Sequence, residues 1–262
     1  MRRGVGAPWY NGHAMNDPIQ RGFRARVAVL PVVHIDTPAQ AAEETVTALS
    51  TGAHGVFLIS HGGGAQAVER ATDEALQAAQ RAGFASPWLG VNLLGHHPWS
   101  ALTWLHARGA HHVRAVWSDH SGLVPEREAQ EGVRSLADAR AAVAPWAPLF
   151  FGGVAFKYQP EPRDLAAECD RMLAAGVDAL TTSGPGTGEA CDPAKVAAIR
   201  ARVGDRAAVA VASGVTPENV GALVAAGASA ILVATGIARD GDFHRMDPRR
   251  LEALLAAART AR

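Results

Sequence analysis

The chain has 262 residues, with 25 basic and 25 acidic side chains and a formal net charge of zero. No basic stretch interleaves with aromatics, so binding of nucleic acid or of acidic membranes through bulk charge is excluded. No apolar run approaches the ~20 residues of a membrane span, and two cysteines, Cys169 and Cys191, are too few for a disulfide framework, which fits a reducing, cytoplasmic setting.

In chain order, residues 1–25 come first. They are rich in Gly and Pro, carry Trp9, Tyr10 and Phe23, and lack an apolar signal-peptide core. They read as an N-terminal arm that closes the bottom of the following domain or packs on a neighbour. A lid or a dimer contact, and with it a homo-oligomer, is the sharper alternative. From residue 26 to 262, eight apolar, β-rich runs alternate with Ala-rich helical stretches. The runs are 26–34, 55–60, 88–94, 113–118, 149–156, 178–183, 207–213 and 229–235. Near-continuous apolar strands separated by helices are what a parallel sheet covered by helices requires. Eight units in about 250 residues predict a (β/α)8 TIM barrel. A doubly wound sheet rarely has eight regular units, and no G-x-G-x-x-G follows the first strand.

Punctuation agrees. Thr37-Pro38, Asp192-Pro193, Thr216-Pro217 and Asp247-Pro248 each place an N-cap oxygen before proline at the first helical position. Gly52, Gly83, Gly109, Gly176, Gly204 and Gly227 each stand where a helix ends in a left-handed residue.

In such a barrel the active site lies at the C-terminal ends of the strands. That rule selects His34 and Asp36, then Ser60 and His61, then Asn92 with His96 and His97. It next selects Ser118, Asp119 and His120, then Lys157 and Tyr158. Neighbours on a strand point to opposite faces, so of Asp119 and His120 one reaches the pocket, and Asp119 is the choice. Arginine outnumbers lysine 23 to 2. Lys157 ends an apolar strand, where an ammonium is costly unless paired or used; a contact to an anion is favoured over a Schiff base or an ion pair with Asp119 or Asp36. Lys195 reads as a surface charge. The histidines lack H-x-H or H-E-x-x-H spacing, so no metal site is expected, and no cofactor is called for. Trp88, Trp99, Trp104, Trp117 and Trp146 read as packing residues.

The last three strands end in small-residue turns that open helices: Ser183-Gly184-Pro185-Gly186-Thr187-Gly188, Ser213-Gly214-Val215-Thr216-Pro217 and Thr235-Gly236-Ile237. Glycine permits close approach of the backbone, and exposed N–H groups at a helix start favour an anion. Ser183, Gly184, Thr187, Ser213, Gly214, Thr235 and Gly236 are therefore the candidate phosphate ligands.

The segments Ala179–Gly188, Ala212–Val220 and Val233–Asp242, with Asp247-Pro248 behind them, resemble successive motifs of the BtpA family, phosphate-binding-type barrels named for a photosystem I biogenesis factor. Gly90-Val91-Asn92, the strand-end Lys157 and the early His34 match more weakly. The chain departs from the family at Ile35-Asp36-Thr37-Pro38, at Ser60-His61-Gly62-Gly63 and after Asn92. The resemblance implies the barrel and an anion site, with a changed chemical end.

Together these features predict an enzyme acting on a small phosphorylated metabolite, a sugar phosphate or a phosphoribosyl compound. Lys157, Asp119, His61, Asn92 and His34 would supply acid–base and electrostatic groups. The alternatives are a non-catalytic assembly or regulatory protein, expected to have a plugged pocket, and a metal-dependent hydrolase using the strand-end histidines.

Overall fold

Eight strands pair in sequence order, every pair parallel, and the last closes onto the first. They are β1 (Ala28–His34), β2 (Val56–Ile59), β3 (Leu89–Asn92), β4 (Val113–Ser118), β5 (Leu149–Gly153), β6 (Ala179–Thr182), β7 (Ala208–Ala212) and β8 (Ala230–Val233). The computed structural model describes residues 17–120 and 136–261. Every expected run contains its strand, and all but β4 are trimmed by a few residues at the ends.

The described helices are α1 (Pro18–Phe23), α2 (Pro38–Thr51), α3 (Gly64–Arg81), α4 (Pro98–Ala107), α5 (residues 136–142), α6 (Leu165–Ala174), α7 (Pro193–Val203), α8 (Val220–Ala225) and α9 (Pro248–Thr260). Thr37, Asp192 and Asp247 cap α2, α7 and α9 as expected, accepting hydrogen bonds from Gln40 N, Ala194 N and Arg249 N. The start expected at Pro217 falls three residues early. There Asn219 Oδ1 accepts from Thr216 N and Thr216 Oγ1 from Glu218 N, so a capped turn precedes α8. All six helix-ending glycines have positive φ, between 54° and 107°.

Side-chain alternation divides the core in two. On β7, Val209 and Val211 pack outward on the helices, whereas Ala208, Ala210 and Ala212 face the barrel interior with Ala179 of β6 and Ala230 of β8. The opposite side of the interior is bulky. Phe57 and Phe151 meet edge to face at 5.1 Å, and Phe57 meets Trp117 at 5.9 Å. Gly90 is required beneath them, since a Cβ there would lie 2.4 Å from the Phe57 ring. The interior is thus lined by aromatic rings on one side and by small side chains on the other.

At the N-terminal end of the barrel, α1 inserts Ile19, fully buried, into the interior cluster, and Phe23 packs on Trp88 at 5.2 Å. Asp17 caps α1 and pairs with Arg200 at 3.1 Å. The rest of the expected arm, residues 1–16 with Trp9 and Tyr10, lies outside the described residues. Arg200 also donates to the carbonyls of Gly204, Ala207 and Gly227, so losing Asp17 does not strand its charge. Asp17→Ala is expected to cost about 1–2 kcal/mol, chiefly the lost cap, in urea unfolding. An unchanged midpoint would show that α1 adds nothing to the closure.

One element was not expected. After β8 the chain forms an antiparallel hairpin, β9 (Ala238–Arg239) and β10 (Asp242–Met246). Asp240 and Gly241 turn it with φ of 52° and 82°, the pair of positive angles that a tight hairpin turn demands. Gln40 Nε2 donates to His244 O, and Met246 N donates to Glu44 at 2.8 Å, which fastens the hairpin to α2.

Candidate active site

The strand ends enclose a cavity of about 310 Å³. Its polar wall is His34, His61, Asp119, Lys157, Thr187, Ser213 and Thr235, and its apolar wall includes Val32, Ile59, Trp117, Ala212, Leu232 and Ala234. Two-residue spacing explains the layering. His34 stands above Val32 on β1, and His61 and Asp119 stand above Ile59 and Trp117 at the ends of β2 and β4. Each pair shares the inward face of its strand. Trp117, expected as packing alone, is a wall of the cavity.

Asp119 is held from both sides. Asn92, 2% exposed, donates Nδ2–H to Asp119 Oδ1 at 2.9 Å, and Gln159 Nε2 donates to Asp119 O at 2.6 Å. Asn92 therefore meets the carboxylate and does not line the cavity. Gly153 lets the backbones approach, because a Cβ there would lie 1.8 Å from Asp119 O. His120 is exposed and lies 5.9 Å, ring to ring, from His97.

The rings of His34 and His61 lie nearly parallel, and His34 Nδ1 is 3.0 Å from His61 Nε2. One of these nitrogens must carry the hydrogen and the other accept it. Phe243 of β10 packs its edge on His34 at 4.9 Å. Burial, reinforced by the nearby His61, His244 and Lys157, pushes His34 down from 6.5 to about 4. The unfolded chain therefore holds an extra proton at this site between pH 6.5 and pH 4, and stability falls as the pH is lowered through that window. The full shift is worth on the order of 3 kcal/mol. His34→Asn should flatten the dependence of unfolding free energy on pH over that range, and an unaltered slope would place the acid sensitivity elsewhere.

Lys157 donates Nζ–H to Thr187 Oγ1 at 3.3 Å, and no ion pair among the described residues includes it. Tyr158 Oη also reaches Thr187 Oγ1 at 3.0 Å and accepts from Thr187 N. Ser213, with φ of 70°, accepts from Gly188 N at 3.0 Å. Thr187, Ser213 and Thr235 thus reach the same cavity as Lys157. Ser183 is fully buried, and its Oγ accepts from Lys157 N at 2.7 Å. Gly184, Gly214 and Gly236 are packed against backbone: a Cβ would lie 2.2 Å from Glu189 O, 1.8 Å from Glu189 O and 1.8 Å from Val215 O respectively. These glycines are needed for the folding of the loops themselves.

Lys195 is not a surface charge. Its ammonium donates to Ala155 O at 3.0 Å and to Ser183 O, bridging the chain beyond β5 to the end of β6. Ala155 has φ of 44°, which is where the run expected to continue to residue 156 leaves the sheet. Burial raises both thiols, Cys169 to about 11, so neither is primed as a nucleophile. Among the described residues, no group of three or more His, Cys, Asp or Glu side chains could hold a metal ion, and no helix is long and apolar enough to cross a membrane.

A closed parallel barrel with a polar cavity at its C-terminal face belongs to the TIM-barrel class. Within that class the chain belongs to the BtpA family, whose sequence model matches residues 66–260. The match begins after β2, so His34 and His61 lie outside it. No curated protein matches the sequence significantly. Among solved structures, the chain is similar to phosphoribosyl anthranilate isomerase from Thermus thermophilus (18% identity, 90% of this chain and 100% of that one, TM-score 0.60). It is also similar to (S)-3-O-geranylgeranylglyceryl phosphate synthase from Thermoplasma acidophilum (16%, 92% and 96%, TM-score 0.61) and to thiamine phosphate pyrophosphorylase from Pyrococcus furiosus (13%, 90% and 96%, TM-score 0.61). At such identities the likeness is one of fold.

Proposed function

We propose that the protein is an enzyme acting on a small phosphorylated metabolite, a sugar phosphate or a phosphoribosyl compound. The observation that carries this reading is the convergence of Lys157, Thr187, Ser213 and Thr235 on the same cavity as Asp119, His34 and His61. The three hydroxyls donate to phosphate oxygens, and Lys157 supplies the compensating charge. Gly184, Gly214 and Gly236 shape the loops after β6, β7 and β8 that present them. Asp119, oriented by Asn92, serves as general base, and His61, hydrogen-bonded to His34, exchanges a proton on the facing side. Lys157 also offsets negative charge that develops beside the phosphate. The similar proteins named above, an isomerase, a synthase and a pyrophosphorylase by name, support an enzyme on this fold. An open cavity also speaks against the plugged pocket expected of a non-catalytic assembly protein.

Calorimetric titration of the protein with inorganic phosphate tests the anion site. Saturable binding is expected, weakened about tenfold when Thr187→Val and Ser213→Ala are combined, since each lost hydrogen bond to a charged group is worth about 1.5–3 kcal/mol at most and water recovers part of it. Absence of binding at millimolar phosphate would overturn the reading.

A further inference from the structure

The depth of the cavity is set by residues that make no hydrogen bond to a ligand. Beneath the polar rim lie Leu232, Val32 and Ile59, on the neighbouring strands β8, β1 and β2, and Trp117 on β4. The cavity reaches this layer because β7 presents only alanines to the interior, and Ala212 forms part of the wall. A leucine or phenylalanine in that row would have filled it, as Phe57 and Phe151 do on the other side. Nε1 of Trp117, a residue 5% exposed, is buried and has no hydrogen-bond partner among the described residues.

We propose that the ligand of this cavity is a phosphoric ester whose far end is an apolar, ring-sized body seated on the Val32–Ile59–Trp117–Leu232 floor. This rests on the phosphate reading above and narrows it. A polyhydroxylated chain reaching the floor would exchange water for hydrocarbon at each hydroxyl. A ring gains from the same surface: an aromatic ring meets the Trp117 face and the aliphatic groups of three strands, and burying it favours binding in proportion to the apolar area removed from water. The reacting atoms, between floor and phosphate, then lie at the level of Asp119 and the His34–His61 pair. Specificity for the body resides in the strands, and recognition of the phosphate resides in the loops.

Affinities for four probes distinguish this proposal from the reading on which it rests: inorganic phosphate, glycerol phosphate, phenyl phosphate and phenol. Phenyl phosphate is expected to bind at least about tenfold more tightly than glycerol phosphate, a conservative reading of the area of one buried ring. Ala212→Leu, which extends a side chain into existing space, should bring phenyl phosphate down to the affinity of inorganic phosphate and leave inorganic phosphate unchanged. Glycerol phosphate binding as tightly as phenyl phosphate, with inorganic phosphate also bound, would overturn the apolar floor and keep the phosphate site. Phenol bound competitively with the aryl ester, but no affinity for any phosphate, would keep the floor and overturn the phosphate site. Failure of all four probes would overturn both. The comparison among probes on the unaltered protein decides the matter even if Ala212→Leu does not fold.

Discussion

Lys157→Met is expected to weaken phosphate binding by about 10- to 100-fold while leaving the unfolding midpoint nearly unchanged. The side chain lines the cavity, and among the described residues it hydrogen-bonds Thr187 Oγ1 and pairs with no carboxylate. Methionine keeps the apolar stem and removes the charge, so the loss reads the charge-assisted contact alone, worth about 1.5–3 kcal/mol. Lys157→Arg should recover part of the affinity and impair turnover, because a planar guanidinium cannot reproduce a compact ammonium at the same point. Borohydride with a carbonyl-bearing phosphate should leave no adduct on Lys157 if its role is the electrostatic one proposed above. Wild-type affinity in Lys157→Met would reduce the residue to a structural one.

The second large effect concerns Gly214. Its φ is +65°, and a Cβ would meet Glu189 O at 1.8 Å and Glu189 C at 2.3 Å. The obstruction is backbone, so no rotamer change relieves it. Gly214→Ala should cost about 2–4 kcal/mol, the sum of a left-handed penalty and displacement of the facing loop. Phosphate binding should fall with it, because that loop carries Thr187. Two glycines calibrate the result. Gly188 has φ of +82° with nothing near its Cβ, so Gly188→Ala should cost only the conformational part, about 1–2 kcal/mol. Gly221 lies in α8 with open space around it, and Gly221→Ala should stabilise by up to about 1 kcal/mol through helix propensity. If Gly214→Ala unfolds at the wild-type midpoint, the close approach of the two loops is not a feature of the folded chain.

The barrel was legible because its grammar is local. An N-cap oxygen before proline, a glycine at each helix end and an apolar run between them are decided within a few residues, and six of six helix-ending glycines take the positive φ that this grammar requires. The strand-end rule likewise drew Lys157, Asp119, His34 and His61 to one mouth without knowledge of any contact. What escaped was non-local. The floor depends on which alternate residues of β7 face inward against Phe57 and Phe151, so Trp117 looked like ordinary core. Lys195 is remote in sequence from Ala155, and its role emerges only when β5 and β6 lie side by side. Phe243 escaped for a different reason. Asp240-Gly241 is a hairpin signal in its own right, but the short strands beside it fall below the length at which alternation can be seen.

Lys195 has a mechanical consequence. By donating to both Ala155 O and Ser183 O, it ties the chain leading to Lys157 to the turn that starts the Thr187 loop. Ser183 in turn accepts from Lys157 N, so the two lysines of an arginine-rich chain are wired in series. Neither segment can swing outward without breaking bonds to a shared cation, and the two must open as one body. Backbone amides of both segments are therefore expected to exchange their hydrogens at a common rate.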